Sequence, residues 1–296
     1  MKAGDSPEVI VDFHTHIVPP WVIERRDELT RRDPLFGLLY GNPRSRLAAG
    51  EELLSSMDES EIQLSVALNL GWSDHDMCVR TNDYLLEVSA RHPDRVVAFC
   101  AVQPRAKERA LREVERCAAA GARGLGELRP DIQGYSLLDR PLLMELVGLV
   151  TQRRLIVVSH VSEPVGHQYS GKGTITPDQL YGLAMEYPDV LIVGAHWGGG
   201  LPFYWLMPEV KARLTNVYFD SAATHLLYDT RVYGTVARLV GPERILFGSD
   251  YPLVSQTRAL REVRAAPQFD PEHRDLMLGM NALRILSEGG SKDGTG

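Results

Sequence analysis

The chain has 296 residues, 44% of them hydrophobic and 24% charged, and its formal net charge at pH 7 is -7. An acidic chain of this kind lacks the broad basic face that nucleic acids and anionic membranes require, so we expect neither as a partner. Three widely spaced cysteines without a Cys-x-x-Cys pair argue against a thiolate zinc site or a disulfide framework. With no apolar run of about 18 residues and no signal peptide, the protein is expected to be cytoplasmic.

Short apolar segments rich in β-branched residues alternate with longer amphipathic segments along the chain. Nearly continuous apolar runs are typical of strands buried on both faces, and they fall at residues 9–13, 64–69, 96–102, 124–128, 155–159, 190–195, 217–220 and 245–248. Between them the pattern predicts helices, including 51–60, 78–91, 106–120, 141–154 and 176–187. Eight such units, with no Gly-x-Gly-x-x-Gly after the first strand, favour a closed (β/α)₈ TIM barrel over a doubly wound sheet.

We predict one domain, residues 1–288, because barrels of this kind reach about 250 residues as a single unit. The long connection after the first strand, residues 18–48, interrupts the regular spacing. A loop of that length on the catalytic side of a barrel is expected to form a lid or a wall of the substrate pocket. The Gly-rich polar tail, residues 289–296, is expected to be flexible.

Polar side chains mark the ends of the predicted strands. His14 and His16 close the first strand two residues apart, so both point to the same face. Asp12 is expected to point away from the barrel axis and to anchor the fold. The polar residues that end strands four, five, six and eight are Glu127, His160, His196 and Asp250. In a parallel barrel these ends open onto one face, where active sites lie.

Four imidazoles and two carboxylates without a thiolate suit a divalent metal ion. A lone strand-terminal histidine is more often a hydrogen-bonded packing residue than a ligand. Burying all six titratable groups together without an ion would be costly, however, so we predict a metal centre. The donor set suits Zn²⁺, Mn²⁺, Co²⁺ or Fe²⁺ without selecting among them, and we expect Zn²⁺, as one ion or two.

Three further residues are candidates for substrate binding. Arg129, two residues after Glu127, can clamp an anion. His167 and Tyr169 lie in the segment after strand five, which is polar and longer than a connection needs to be. A solvated loop is the alternative, and we expect both side chains to contact a small-molecule substrate.

At these positions the chain resembles the amidohydrolase superfamily, and most of all its amidohydrolase-related branch, which includes aminocarboxymuconate-semialdehyde decarboxylase-like proteins. The resemblance covers nearly the whole chain and is carried by the segments VIVDFHTH, GAHWGGG, ILFGSDYP and GMNALR. It implies that the family's metal positions are matched by His14, His16, His160 and Asp250. It also implies that His196 binds a second ion or acts as a catalytic acid or base, that Asn281 is structural, and that a homodimer forms.

Glu127 departs from the decarboxylase-like pattern, which uses one ion and needs no ligand from strand four. Binuclear hydrolases of the superfamily place a carboxylated lysine or a glutamate at that position, so Glu127 resembles the glutamate-bridged type. The alternative is that Glu127 pairs with Arg129 or with a ligand histidine.

The favoured function is a metal-dependent hydrolase that uses a metal-activated water on a small-molecule amide, ester or lactone. Asp250 would move the proton, and His196 would bind a second ion or stabilise the oxyanion. The alternative is non-oxidative, metal-dependent decarboxylation of a small aromatic or unsaturated carboxylic acid, with Arg129 on the carboxylate and His196 as proton donor. Outside enzymes, the alternative is a catalytically silent metal-binding scaffold.

Overall fold

Eight apolar runs form parallel strands that pair in chain order, and nearly all of their residues are buried. The computed structural model describes residues 9–267 and 269–289. Its strands are β1 (Val11–Thr15), β2 (Leu64–Leu68), β3 (Val96–Cys100), β4 (Gly124–Leu128), β5 (Ile156–Ser159), β6 (Ile192–Gly194), β7 (Val217–Asp220) and β8 (Ile245–Leu246). Each predicted strand segment contains or overlaps one of them.

The sheet closes on itself between β1 and the segment that follows β8. Phe13 N donates to Phe247 O over 2.7 Å, and His16 N donates to Tyr251 O over 2.7 Å. A parallel bridge joins Thr15 to Tyr251. The predicted single-domain (β/α)₈ barrel is therefore confirmed.

Helices cover the outside of the barrel and occupy several of its loops. They are α1 (Pro20–Glu24), α2 (Arg26–Arg32), α3 (Pro34–Tyr40), α4 (Gly50–Ser60), α5 (His75–Arg91), α6 (Glu108–Ala119), α7 (Pro130–Gln133), α8 (Arg140–Gln152), α9 (Pro177–Glu186), α10 (Ala195–Gly198), α11 (Pro208–Arg213), α12 (Thr224–Leu227), α13 (Val232–Val240), α14 (Gln256–Ala265), α15 (Pro271–Asp275) and α16 (Asn281–Glu288). A π-helical turn, Leu276–Met280, joins α15 to α16. Among the described residues, no helix is both long and apolar enough to cross a membrane.

The connection at residues 18–48, which we expected to form a lid or a wall of the substrate pocket, is folded into short helices. It contains α1, α2 and α3, and its apolar side chains form a separate cluster with the loop after β2. Asp33 fixes this arrangement, since its carboxylate accepts from Phe36 N at the start of α3 and from Ser73 N, over 3.0 and 2.9 Å. The predicted tail lies outside the described residues beyond residue 289.

The C-terminal helix closes the end of the barrel opposite the strand ends that carry the candidate ligands. Ile285 and Leu286 of α16 belong to the same apolar cluster as Val11 and the other inward-facing strand residues. Asn281 donates through Nδ2 to Pro242 O over 2.9 Å and to Ile245 O over 2.8 Å. Asn281 is thus structural, as the family resemblance implied.

Candidate metal centre and active site

A register shift in β1 turns the two histidines of the first strand into the barrel. Asp12 faces outward, where its carboxylate accepts from Ser249 N and from Gln256 Nε2, each over 2.9 Å. The pairing of β1 with β2 shifts by one residue between Asp12 and Thr15. Because such a shift exchanges the two faces of a strand, His14 faces the opposite side from Asp12 although it is two residues further along.

Two groups of side chains bring their ligand atoms within 4.8 Å of one another among the described residues. The first consists of His14, His16 and Asp250. The Nε2 atoms of His14 and His16 are 3.1 Å apart. Asp250 Oδ1 lies 3.7 Å from His14 Nε2 and 3.6 Å from His16 Nε2. The second group consists of His14, Glu127 and His196. All five residues are buried.

The donor set of the first group fits a divalent metal ion. The Nδ1 atom of His14 lies 2.8 Å from Asp220 Oδ2, and that of His16 lies 3.2 Å from Leu68 O. A carbonyl and a carboxylate can only accept, so each Nδ1 carries a hydrogen, as in histidines that bind metals through Nε2. Two facing Nε2 atoms at 3.1 Å then require a proton or a metal cation between them.

The charges around the cluster shift its pKa values strongly. Burial opposes protonation of His14, but the Asp220 carboxylate outweighs it and raises the pKa of His14 to about 10. Burial and the neighbouring His14 lower the pKa of His16 to about 4. Burial, reinforced by Glu127, raises the pKa of Asp250 to about 7. At neutral pH the two facing imidazoles therefore share one proton, which an entering cation would displace.

His160 lies beside the cluster but does not join either ligand group. Its Nδ1 is 3.0 Å from Glu127 Oε1, and its Nε2 is 2.9 Å from Ser162 Oγ. Burial would raise the pKa of Glu127, yet the hydrogen bond from His160 keeps that pKa well below its usual range. Glu127 therefore pairs with a candidate ligand histidine, and it also lies 3.8 Å from His16 Nε2 and 4.0 Å from His196 Nε2.

Several site residues have backbone angles that side chains rarely adopt. His196 has φ 54° and ψ 51°, Trp197 follows with φ 59°, and Asp250 has φ 70°. A left-handed conformation costs about 1–3 kcal/mol for a residue other than glycine and persists only where surrounding contacts enforce it. The strained backbone at the ends of β6 and β8 aims His196 and Asp250 into the same space.

A cavity of about 330 Å³ opens above the cluster. The candidate residues that line it are His16, Glu127, Arg129, His160, His167, Tyr169, His196 and Asp250. His14 lies beneath it and is fully buried. The remaining wall is formed by the largely apolar residues Leu39, Tyr40, Ala223, Leu226, Leu227, Pro252 and Leu253, together with Ser45, Arg46, Ser170 and Gly171. A cavity of this size suits a small molecule.

The structure places the three predicted substrate-binding residues in the cavity wall, with partners of their own. Arg129 is buried and forms an ion pair with Asp131 over 3.2 Å. Burial would raise the pKa of Asp131, but the Arg129 guanidinium holds it below its usual value. Tyr169 donates its hydroxyl to Glu163 Oε2 over 3.0 Å, and the His167 ring lies 5.6 Å from the Tyr169 ring.

The sequence interpretation missed two kinds of residue. Tyr40 and Arg46 reach the cavity from residues 18–48, and no local pattern in that segment marks them. Asp220 ends β7 and contacts His14 directly. The sequence could have indicated Asp220, because it is a polar residue at the end of a predicted strand, like the six candidates.

A parallel eight-stranded barrel with histidines and carboxylates gathered at the C-terminal ends of its strands is typical of metal-dependent TIM-barrel enzymes. A family model described as Amidohydrolase matches residues 11–287. The chain therefore belongs to the amidohydrolase family, and the predicted resemblance to that superfamily is confirmed.

Three solved structures show the same fold. The 5-carboxyvanillate decarboxylase from Sphingomonas paucimobilis is 18% identical, with 95% of this chain and 99% of that chain covered and a TM-score of 0.76. The 5-carboxyvanillate decarboxylase from Novosphingobium aromaticivorans, complexed with manganese and 4-hydroxy-3-methoxy-5-nitrobenzoic acid, is 16% identical, with 95% and 96% covered and a TM-score of 0.75. The 2,6-dihydroxybenzoate decarboxylase from Rhizobium is 19% identical, with 96% and 100% covered and a TM-score of 0.71.

Proposed function

We propose that this protein is a metal-dependent carboxy-lyase that removes CO₂ from a small aromatic or unsaturated carboxylic acid. The observation that carries the proposal is the cavity, in which apolar walls and the buried Arg129 face the cluster of His14, His16 and Asp250. The walls suit a ring or an unsaturated chain, and the arginine suits an anion. The names of the three similar structures support the same reaction class. Decarboxylation thus replaces hydrolysis as the favoured function.

His14, His16 and Asp250 are the residues that would hold the ion. Bound there, a divalent ion would draw electron density from substrate oxygens and stabilise developing negative charge. Nitrogen and carboxylate donors admit both the Zn²⁺ expected from the sequence and the manganese found with one of the similar structures.

The chain's own side chains would position the acid and supply the proton. Arg129 would hold the substrate carboxylate, and the apolar wall would keep water from the reacting carbon. The bond between that carbon and the carboxylate breaks, its electron pair stays on the carbon, CO₂ leaves, and the carbon takes up a proton. Asp250 Oδ2 and His196 Nε2 lie 4.0 Å apart in the cavity wall, and that proton would come from this pair.

Isotope-labelled solvents would test the reaction class directly. The protein is loaded with Zn²⁺ or with Mn²⁺ and offered a panel of hydroxybenzoic acids, unsaturated acids, lactones and amides. In D₂O, decarboxylation places deuterium on the carbon that lost CO₂, which NMR detects. In ¹⁸O-labelled water, hydrolysis places ¹⁸O in a product carboxylate, which mass spectrometry detects. A product with ¹⁸O and no carbon-bound deuterium contradicts the proposal, and failure with every compound favours the silent scaffold.

Hydrolysis stays as the second candidate because of Glu127. Glu127 Oε2 lies 3.8 Å from His16 Nε2 and Oε1 lies 4.0 Å from His196 Nε2, so this carboxylate could bridge one ion held with His16 and another held with His196, as a two-ion hydrolase would need. E127Q separates the two functions, since it should spoil a two-ion centre and spare a one-ion carboxy-lyase. E145Q, on the exposed face of α8, serves as the matched control. Metal analysis of the wild type adds to this test, since two ions per chain would support the hydrolase and one ion is compatible with both functions.

A further inference from the structure

One fully buried carboxylate at the end of β7 connects residues from two other strands. Asp220 Oδ2 lies 2.8 Å from His14 Nδ1, while Asp220 Oδ1 accepts from His196 N over 2.9 Å and from Ala222 N over 3.1 Å. Asp220 has no exposed surface, so it does not meet a substrate in the cavity. Among the described residues, its hydrogen bonds lead towards the cavity through His14, which lies beneath it, and His196, which lines it.

The contact with His14 determines which ring nitrogen is available to a metal ion. Asp220 Oδ1 accepts from two backbone N–H groups, as an ionised carboxylate does, and Oδ2 is the acceptor that faces His14 Nδ1 over 2.8 Å. Nδ1 of His14 therefore carries a hydrogen, and Nε2 is the atom left to face His16 and Asp250. Burial of both partners also fixes the ring plane.

The contact with His196 acts on the backbone rather than on the ring. His196 has the left-handed φ of 54°, and its amide hydrogen has to be satisfied inside the barrel. Asp220 Oδ1 accepts that hydrogen and so helps to enforce the strained conformation that turns the His196 ring to the cavity.

We propose that Asp220 is the positioning residue of the metal centre, which sets the tautomer of His14 and the backbone of His196 with a single carboxylate. The proposal rests on the metal centre of the proposed function and is independent of the reaction performed there. A carboxylate behind a ligand histidine typically contributes about 10- to 100-fold to metal affinity.

D220N tests the tautomer assignment with almost no change of shape. The amide oxygen would still accept from His196 N, which leaves the amide NH₂ to face His14 Nδ1. Two N–H groups cannot hydrogen-bond to each other, so His14 should lose its Nδ1 hydrogen and keep only the Nε2 hydrogen that points at His16. NMR of protein with ¹⁵N-labelled histidine reports the tautomer, with His14 assigned by its absence in H14Q.

Titration with Zn²⁺ alone gives the second readout. D220N should bind Zn²⁺ about 10- to 100-fold more weakly than the wild type, measured by competition with a chromogenic chelator. D33N is the matched control, because Asp33 is also buried and accepts backbone hydrogen bonds but contacts no imidazole. It should keep the wild-type Zn²⁺ affinity. An unchanged His14 tautomer with unchanged Zn²⁺ affinity in D220N overturns the proposal.

The Zn²⁺-loaded wild type keeps the proposal testable if D220N fails to fold. Its spectrum should show His14 coordinated through Nε2, with a slowly exchanging hydrogen on Nδ1. Coordination through Nδ1 overturns the proposal. Neither measurement follows turnover, so a failure of the carboxy-lyase assignment would leave these results unaffected. A wild type that binds no Zn²⁺, in contrast, would contradict both proposals.

Discussion

The candidate metal centre is tightly packed, and Gly248 has no room for a side chain beside His14. This glycine follows β8, and a Cβ built on it would lie 2.8 Å from the His14 Cβ. Real side chains do not approach so closely, and the His14 ring is held at Nδ1 by Asp220, whose own Cβ would lie 3.5 Å from the added Cβ. A methyl group at residue 248 therefore has to displace His14 or the strand that carries it.

G248A should destabilise the fold by about 1–3 kcal/mol, as overpacking in a core generally does. It should also weaken Zn²⁺ binding, because the displaced His14 ring no longer faces His16. G148A is the control, since a Cβ at this exposed position in α8 meets no atom within 4 Å. That substitution should leave Zn²⁺ affinity unchanged and stabilise the helix by up to about 1 kcal/mol. Urea unfolding and chelator competition measure both effects, and wild-type Zn²⁺ affinity in G248A would contradict the argument.

For individual residues, the sequence predicted which side chains lie together at the site but not their orientations or hydrogen-bond partners. The six strand-end candidates all lie at one end of the barrel because parallel strands put their C-terminal ends together. The register shift in β1 could not be predicted, since a single extra residue leaves no mark in the apolar pattern. Nor did the sequence show that His160 would turn both ring nitrogens to Glu127 and Ser162.

Between elements, a buried polar network ties the helices after β2 and β3 to the barrel. Asn82 of α5 donates to Ala101 O over 2.9 Å and to Glu113 Oε1 of α6 over 2.7 Å. Arg116 donates to the same carboxylate over 2.7 and 2.8 Å. Asn69, just after β2, donates to Asn82 Oδ1 over 2.6 Å. The network therefore depends on an ionised Glu113.

Stability should fall in acid partly because of Glu113. Burial opposes its ionisation, but the hydrogen bonds from Arg116 and Asn82 outweigh burial and lower its pKa from the ordinary value of 4.5. A carboxyl whose pKa is lowered on folding contributes its full stability above the unfolded pKa and loses that stability as pH falls through the folded pKa. E113Q should therefore cost about 1–3 kcal/mol at pH 7 and show a shallower decline between pH 6 and pH 3.

Urea unfolding midpoints across that pH range measure the effect. E145Q, which replaces an exposed glutamate of α8, should run parallel to the wild type. Parallel curves for E113Q and the wild type would show that Glu113 does not contribute to the acid sensitivity.

The sequence predicted the bounds of the helices that pack on the barrel strands, but it did not predict the short helices within residues 18–48. The helices that alternate with strands carry an apolar face that meets the core, and α4, α5, α6, α8 and α9 lie close to their predicted bounds. In contrast, α1, α2 and α3 have 5, 7 and 7 residues. Helices so short are stabilised mainly by tertiary contacts rather than by their own sequence, such as those of Asp33 with Phe36 and Ser73.

At the scale of the whole molecule, we expect the barrel to fold without a bound metal ion. The two main apolar clusters are built from strands and surrounding helices and need no ion. Chelation with EDTA should therefore leave the barrel folded by circular dichroism. Zn²⁺ at 100 times its dissociation constant should add about 2.7 kcal/mol to the free energy of unfolding. At the same Zn²⁺ concentration D220N should gain less, and an unfolded metal-free chain would show that the barrel depends on its ion.

The closure of β1 against the end of β8 has a consequence for the order of events during synthesis. Asp12 and Ser249, which hydrogen-bond across this seam, are 237 positions apart in the chain. Translation therefore exposes β1 long before its second neighbour exists, and β1 waits as an open edge while the other strands are made. His14 and His16 leave the ribosome long before Asp250 does. The group of His14, His16 and Asp250 is therefore complete only after the eighth strand has been made.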